Sequence, residues 1–308
     1  MLGARQSLRL LAGALPPGVE PLVVCPSEGE LTQELRAISV PVEVVPHGAW
    51  RKLPGRLKSL FFQIPKLRAV GRRFQPDIVH ANEFHIIPQG AMMAGEIVGG
   101  PRSVRPGAGG KRGLVGHVRL SITSRQIRNY RLADCRRIVA VSHACAELFA
   151  GSGLEDRVRV VHNGVDVAAL GGGDGGPAMR EAWGWPAGDT LACCLLGLVS
   201  ERKNQLVSVE AAVRANAMGA PVRLLIAGDA FKGSLAYGEQ LRARLAADDA
   251  RAIVQWLPFQ KDVASLYRAC DVNLLVSGEE GFGRTIIEAG VLGLPSIGSR
   301  VGGIPELV

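Results

Sequence analysis

Short apolar runs alternate with longer amphipathic stretches along the whole chain. In the first half the runs are PLVVCP, VPVEVVP, PDIVHAN, RRIVAVS and VRVVHNGVD. They are brief, rich in β-branched residues and bounded by turn formers, so they predict buried strands. Between them, ELTQELRAI, AMMAGEIV and SRQIRNYRLADC carry helical spacing. The second half repeats the scheme with LACCLLGLV, VRLLIAGD, AIVQWLP, VNLLVS and LPSIGS. Regular alternation of this kind predicts the α/β class, with parallel sheets and crossover helices. GGGDGGP, from Gly171, has the composition of a flexible linker. The expected organisation is therefore two doubly wound domains, 1–170 and 178–308, joined by residues 171–177. Their ligand cleft would lie beyond the strands' carboxyl ends.

Composition narrows this picture. A length of 308 residues suits two domains, and 47% hydrophobic with 5% aromatic content suits a core of Val, Leu, Ile and Ala. The longest apolar stretch, LACCLLGLV, is about half a membrane span. The N-terminus lacks the signal-peptide order of charge, apolar core and small cleavage site, and the six cysteines form no Cys-x-x-Cys pair or zinc spacing. A cytoplasmic location is the expectation. Net charge is +8 but uneven: residues 1–170 carry 23 Lys/Arg and 13 Asp/Glu (+10), and residues 171–308 carry 13 and 15 (−2). The first half is thus expected to meet something anionic. No zinc finger, RNP-like string or basic–aromatic interleaving supports nucleic acid.

The densest chemistry lies in DVNLLVSGEEGFGRTIIEAGVLGLPSIGSRVGGIPELV, from Asp271 to Val308. A buried strand leads into a turn with two acids and two glycines, then a helix. Glu280 sits on the turn and Glu288 eight residues later, in the helix's second turn. Gly281 and Gly283 let the backbone pass close to a ligand. Free N–H groups around Phe282 to Thr285 suit an anion such as a diphosphate, and Arg284 adds a cation. A second cationic turn, GLVSERKNQ from Gly197, follows the first strand of the second half and carries Arg202 and Lys203. Two other glycine-rich signals fail: GAGGKRG has Arg105 where a P-loop needs glycine and no Ser or Thr after Lys111, and no Gly-x-Gly-x-x-Gly follows the first strand. GAGGKRG reads as a loop over the cleft or a phosphate-binding loop.

SGEEGFG from Ser277, the Glu280/Glu288 spacing and GGIPE from Gly302 resemble retaining glycosyltransferases of the GT-B fold, family 4. The resemblance covers nearly the whole chain. It implies two Rossmann-like domains and transfer of a sugar from a nucleotide-diphosphate donor, a reaction of the EC 2.4 class. Glu280 would bind the hydroxyls of the transferred sugar and Glu288 the nucleotide ribose. Lys203 matches the family lysine that grips the diphosphate; the arginine expected after Gly197 is Leu198 here, and Arg202 is the candidate substitute. Strand ends at Gly228 and at Leu257–Pro258 would line the base. The family needs no metal or other cofactor, and no Asp-x-Asp motif is present. The acceptor would be a cell-envelope glycan, a lipid or a small molecule.

On the acceptor side, PDIVHANEFH ends a strand with Asn82, Glu83 and His85, which belong at a cleft. The histidine that family members carry after the next strand, near RSVRPG, is replaced by Arg105; His117, further along the loop, is the alternative. Trp50 to Phe74 holds eight Lys/Arg and no acid, with Leu57, Leu60, Phe61, Ile64 and Leu67 at helical spacing. It reads either as a helix lying on an anionic membrane or as a packed crossover helix. The family's first strand and Gly-Gly loop are expected before LGARQSLRLLAGAL, leaving Gly3 as a remnant, and its closing helices are expected after Val308. On that expectation the chain is a fragment. Two rival readings stay open: a truncated relative without catalysis, and a basic scaffold or nucleic-acid-binding protein.

Overall fold

The computed structural model describes residues 2–48, 63–97, 113–172, 174–185 and 188–308. Its contacts divide into two compact units, Met1–Gly164 and Val165–Val308. Both are α/β with parallel strands.

In unit 1, β1 (Val23–Cys25) and β2 (Val42–Val44) form a small parallel pair. A second parallel sheet runs β3 (Ile78–Ala81), β4 (Gly113–Val118), β5 (Arg137–Ala140) and β6 (Val158–Val160) in spatial order. Ala81, Leu114, Val118, Ile138 and Phe149 fill its core together with Ile87 from the helix Ile87–Ile97. The strand β4 corrects the sequence reading, which placed this segment in a loop and His117 on it. Two glycines in GLVGHV disguise the strand. Gly116 is required by close approach: a Cβ there would stand 2.6 Å from Ile87 Cδ1 and 2.9 Å from Cys135 Sγ. Arg105 and the Gly107–Arg112 part of GAGGKRG lie outside the described residues.

The basic segment 50–74 is described from residue 63 onward. It forms the helix Ile64–Phe74, and its apolar face is spent on the protein's own core. Leu67 and Val70 pack with Val45, Leu22, Val24 and Met93, and Ile64 is buried. Of the face proposed to meet a membrane, Ile64 and Leu67 are thus unavailable; Leu57, Leu60 and Phe61 lie outside the described residues. No helix among the described residues is long and apolar enough to cross a membrane.

Among the described residues, unit 2 has five strands in one parallel sheet. They are β7 (Leu191–Leu196), β8 (Val222–Ala227), β9 (Val254–Leu257), β10 (Val272–Leu275) and β11 (Ser296–Gly298), in the spatial order β11-β10-β7-β8-β9. Strand β7 is buried on both faces, as a central parallel strand must be. Cys194 and Leu196 pack on one side with Leu266 and Tyr267, and Cys193 on the other with Val209 and Leu241. All six cysteines are free and buried. The chain enters at β7, steps out through β8 and β9, then returns to the other side of β7 for β10 and β11. The order therefore reverses between β7 and β10, and the crevice beyond their carboxyl ends is the ligand position such sheets provide.

The Gly-rich 171–177 stretch falls inside unit 2 and overlaps the end of the short helix Val167–Gly171 and the start of the helix Gly176–Ala182. The Arg268 guanidinium donates to the carbonyls of Leu170 (3.2 Å), Gly171 (3.4 Å) and Gly172, tying this stretch to the helix Val263–Arg268.

Candidate functional site

Two turns flank the reversal point of unit 2. One follows β7, where a 3-10 helix, Glu201–Lys203, presents Arg202 and Lys203. The other follows β10 and carries Ser277 to Gly283 into the helix Arg284–Val291. The structure joins them. Lys203 Nζ lies 2.5 Å from Glu280 Oε2, with side chains 12% and 13% exposed. Arg202 Nη1 donates to Glu279 O at 2.8 Å and stands 3.6 Å from Glu280 Oε2. The Ser277 hydroxyl reaches the same carboxylate oxygen at 3.4 Å. Burial pushes the Glu280 carboxyl up. The charge and hydrogen bond of Lys203, then Arg202 and the Phe282 amide, outweigh that and hold it below the usual carboxylate range. Burial lowers the Lys203 ammonium, against the pull of Glu280.

Glycines let the backbone close around this pair. Gly302, from GGIPE, has φ 51°, and a Cβ there would fall 1.8 Å from Glu280 O. Gly303 N donates to that same carbonyl at 3.2 Å. Gly228, at the end of β8, has φ 147°, and its Cβ would fall 1.9 Å from Gly197 O. The turn after β8 therefore rests directly on the start of the Lys203 turn. Gly228 N donates to Leu257 O at 3.0 Å, which brings the β9 end and Pro258 alongside.

In the helix Arg284–Val291, Glu288 is held by two neighbours: Arg284 Nη2 at 3.0 Å on one oxygen and the Tyr267 hydroxyl at 3.3 Å on the other. Burial raises the Glu288 carboxyl above its ordinary value despite Arg284. Arg284 is turned onto Glu288, one helical turn along, rather than displayed only at the helix start. The Thr285 carbonyl accepts from Tyr267 as well, at 3.3 Å. Gly281, Phe282 and Gly283 are buried beneath the turn.

Unit 1 builds a different cluster at its strand ends. Arg119, directly after β4, donates to Asn82 O at 3.1 Å, Asn82 Oδ1 at 2.7 Å and Asn163 Oδ1 at 2.7 Å, and meets His117 Nδ1 at 3.1 Å. Ser7 Oγ donates to Asn163 Oδ1, and Asn82 Nδ2 to Ala4 O, so the helix Leu2–Gly13 is clasped to the sheet. His117 is 7% exposed; burial, then Arg119, pushes its imidazole down to about 2. With Nδ1 accepting from Arg119, the proton sits on Nε2, which is buried without a partner among the described residues. His117 stacks on the exposed His80 at 5.5 Å. Glu83 and His85 pair with each other at 3.0 Å. Gly3 lies within the helix Leu2–Gly13 and not in a loop.

The sequence reading missed Arg119, Tyr267 and Asn204. Arg119 was obscured with its strand. Tyr267 is a core residue, and only its hydroxyl reaches the site. Asn204 had a legible signal: an asparagine between a turn and a helical run suits left-handed backbone.

Comparison with known proteins places the chain in a family and a fold. The model of Glycosyltransferase Family 4 matches residues 3–169, and that of Glycosyl transferases group 1 matches residues 177–308. A curated relative, the D-inositol 3-phosphate glycosyltransferase of Mycobacterium bovis, is 35% identical over 155 residues, 49% of this chain and 31% of that protein. The match thus spans about a third of the relative's length. Among solved structures, Anabaena HepE in complex with UDP-glucose aligns with a TM-score of 0.80 at 24% identity, covering 99% of this chain and 79% of that one. A glycosyltransferase from Rickettsia africae aligns at 0.73 and 17% identity, covering 99% and 76%. With both halves matched and more than half of its length under the first model alone, the chain belongs to glycosyltransferase family 4.

Proposed function

We propose that the chain binds a nucleoside-diphosphate sugar in unit 2 and transfers the sugar, with retention, to a hydroxyl of an acceptor held by unit 1. The observation that carries this is the Lys203–Glu280 pair, with Arg202 beside it, at the point where the unit 2 sheet reverses its order. Lys203 and Arg202 would take the diphosphate. As the bond from the anomeric carbon to the β-phosphate oxygen breaks, its electron pair passes to that oxygen, the acceptor oxygen bonds to the carbon, its proton passes to the leaving diphosphate, and the two cations stabilise the growing charge. This is electrostatic catalysis by groups already in place. Glu280, released from Lys203, accepts from hydroxyls of the transferred sugar. Glu288 accepts from the ribose, while Gly228, Leu257 and Pro258 line the base.

UDP-glucose is the first donor to test, because HepE was solved with it. The curated relative's name makes a phosphorylated alcohol a reasonable first acceptor, and the +10 balance of residues 1–170 suits an anionic one. Glu83, His85 and Arg105 remain the acceptor-side candidates, whereas Asn82 and His117 are engaged with Arg119. A thermal-shift screen of UDP-, GDP- and ADP-sugars tests the reading. One nucleotide family should raise the melting temperature, and Lys203→Ala should remove the rise. No shift with any of the three, at millimolar concentration, would refute donor binding.

A further inference from the structure

Asn204 sits between the Lys203 turn and the helix Gln205–Ala217, with φ 55° and ψ 37°. Left-handed backbone is unfavourable for most side chains; glycine accepts it freely and asparagine tolerates it. Glycine would satisfy the backbone alone. The asparagine adds an amide, and Asn204 Nδ2 donates to Val276 O at 2.9 Å, across to the turn after β10. A second bond runs the other way: Gly278 N donates to Arg202 O at 2.8 Å. Together they bracket Arg202 and Lys203 on one turn and Val276 to Gly278 on the other.

This matters because β7 and β10 pair lower down, at Cys193–Val272 and Cys194–Asn273. Above that register the two turns carry the charged groups that a donor would engage. The Lys203–Glu280 and Arg202–Glu279 contacts use those same groups. A diphosphate that draws Lys203 and Arg202 toward itself breaks both. The Asn204–Val276 and Gly278–Arg202 bonds involve no charged atom and no side chain that a donor needs, so they persist through the exchange.

We propose that Asn204 is a positioning residue: its amide staples the Lys203 turn to the Glu280 turn and keeps the lysine at diphosphate-binding distance when its contact with Glu280 is given up. This rests on the donor-site reading above.

Calorimetric titration of the whole chain with UDP, GDP and ADP, and with the matching monophosphates, tests it. Asn204→Gly keeps the left-handed backbone and removes the amide. Asn204→Asp tolerates the same backbone but presents an acceptor to a carbonyl, and serves if the glycine variant does not fold. Each should weaken nucleoside diphosphate binding roughly five- to tenfold, the size of one hydrogen bond. Monophosphate affinity should change less, so the diphosphate-to-monophosphate ratio should fall. A melting temperature that drops while this ratio stays at the unaltered chain's value would make Asn204 merely structural and overturn the proposal. If Lys203→Ala weakens diphosphate binding but both Asn204 variants match the unaltered chain, the donor site stands and the staple falls. If the unaltered chain binds none of the three diphosphates, the site reading fails and the proposal with it.

Discussion

The strand ends of unit 2 and those of unit 1 solve the same geometric problem with opposite chemistry. In unit 2, cations face carboxylates: Lys203 with Glu280, and Arg284 with Glu288. In unit 1, one guanidinium is held by amide and carbonyl oxygens of Asn82 and Asn163 and by a neutral imidazole. An ion pair can be exchanged for another ion pair, so an arriving anion can take Lys203 from Glu280 at modest cost. The Arg119 bonds instead join the ends of β3 and β4 to the turn after β6, and Asn82 and Asn163 in turn hold the first helix, so breaking them would leave several partly buried polar groups unmatched. The first cluster is built to trade partners and the second to brace.

The sharpest way to break that contrast is Glu280→Gln. Removing the carboxylate from the sugar pocket should lower transfer by at least about a hundredfold with the fold intact by circular dichroism; near-normal turnover would remove Glu280 from the reaction. Next, Lys203→Ala should weaken nucleoside diphosphate binding by roughly 1.5–3 kcal/mol, the range for hydrogen bonds to charged groups. Unchanged calorimetric affinity would empty the proposed phosphate site. Arg119→Met tests the brace: it should destabilise unit 1 by about 1–3 kcal/mol in denaturant melts and leave diphosphate affinity untouched. A loss of donor affinity equal to that of Lys203→Ala would erase the distinction.

The last effect is spread over pH. His117 stays neutral when folded, because its pKa is depressed to about 2, whereas the unfolded chain titrates near the ordinary histidine value. As pH falls below about 6.5, the unfolded state takes up a proton that the folded state refuses, so stability should fall. The expected slope is about 1.4 kcal/mol per pH unit for one histidine. His117→Gln should make the unfolding profile shallower between pH 6 and 4.5 by that amount, and the slope that remains comes from His80, whose imidazole is also held down, to about 4. An unaltered slope in that variant would mean that His117 protonates in the folded protein.

Much of unit 2 was legible because its strands are unbroken apolar runs and its turns carry short strings with little freedom. SGEEGFG and GGIPE can be read as partners, and Gly302 against the Glu280 carbonyl gives the physical reason for the second string. Unit 1 was harder. Strand β4 carries glycines at both ends of its first half, and the need for Gly116 comes from Ile87 and Cys135, distant in sequence. Losing β4 displaced His117 and hid Arg119. The basic segment before Phe74 was ambiguous for a related reason: an amphipathic face looks the same whether it meets a membrane or Val45 and Met93.

The sequence by itself determined the α/β class, nearly all the strands, and the residue types of the donor turns, because periodicity and short turn motifs are local properties of the chain. The tertiary structure alone decided which of these residues meet. Lys203 and Glu280 are 77 positions apart and come together because β10 returns to the side of β7 away from β8. The same return brings Val276 within reach of Asn204, and Arg180 from the helix after the Gly-rich stretch to Asp271. Strand order is set by the packing of crossover helices on both faces of the sheet, and no local pattern of apolar and polar positions encodes it.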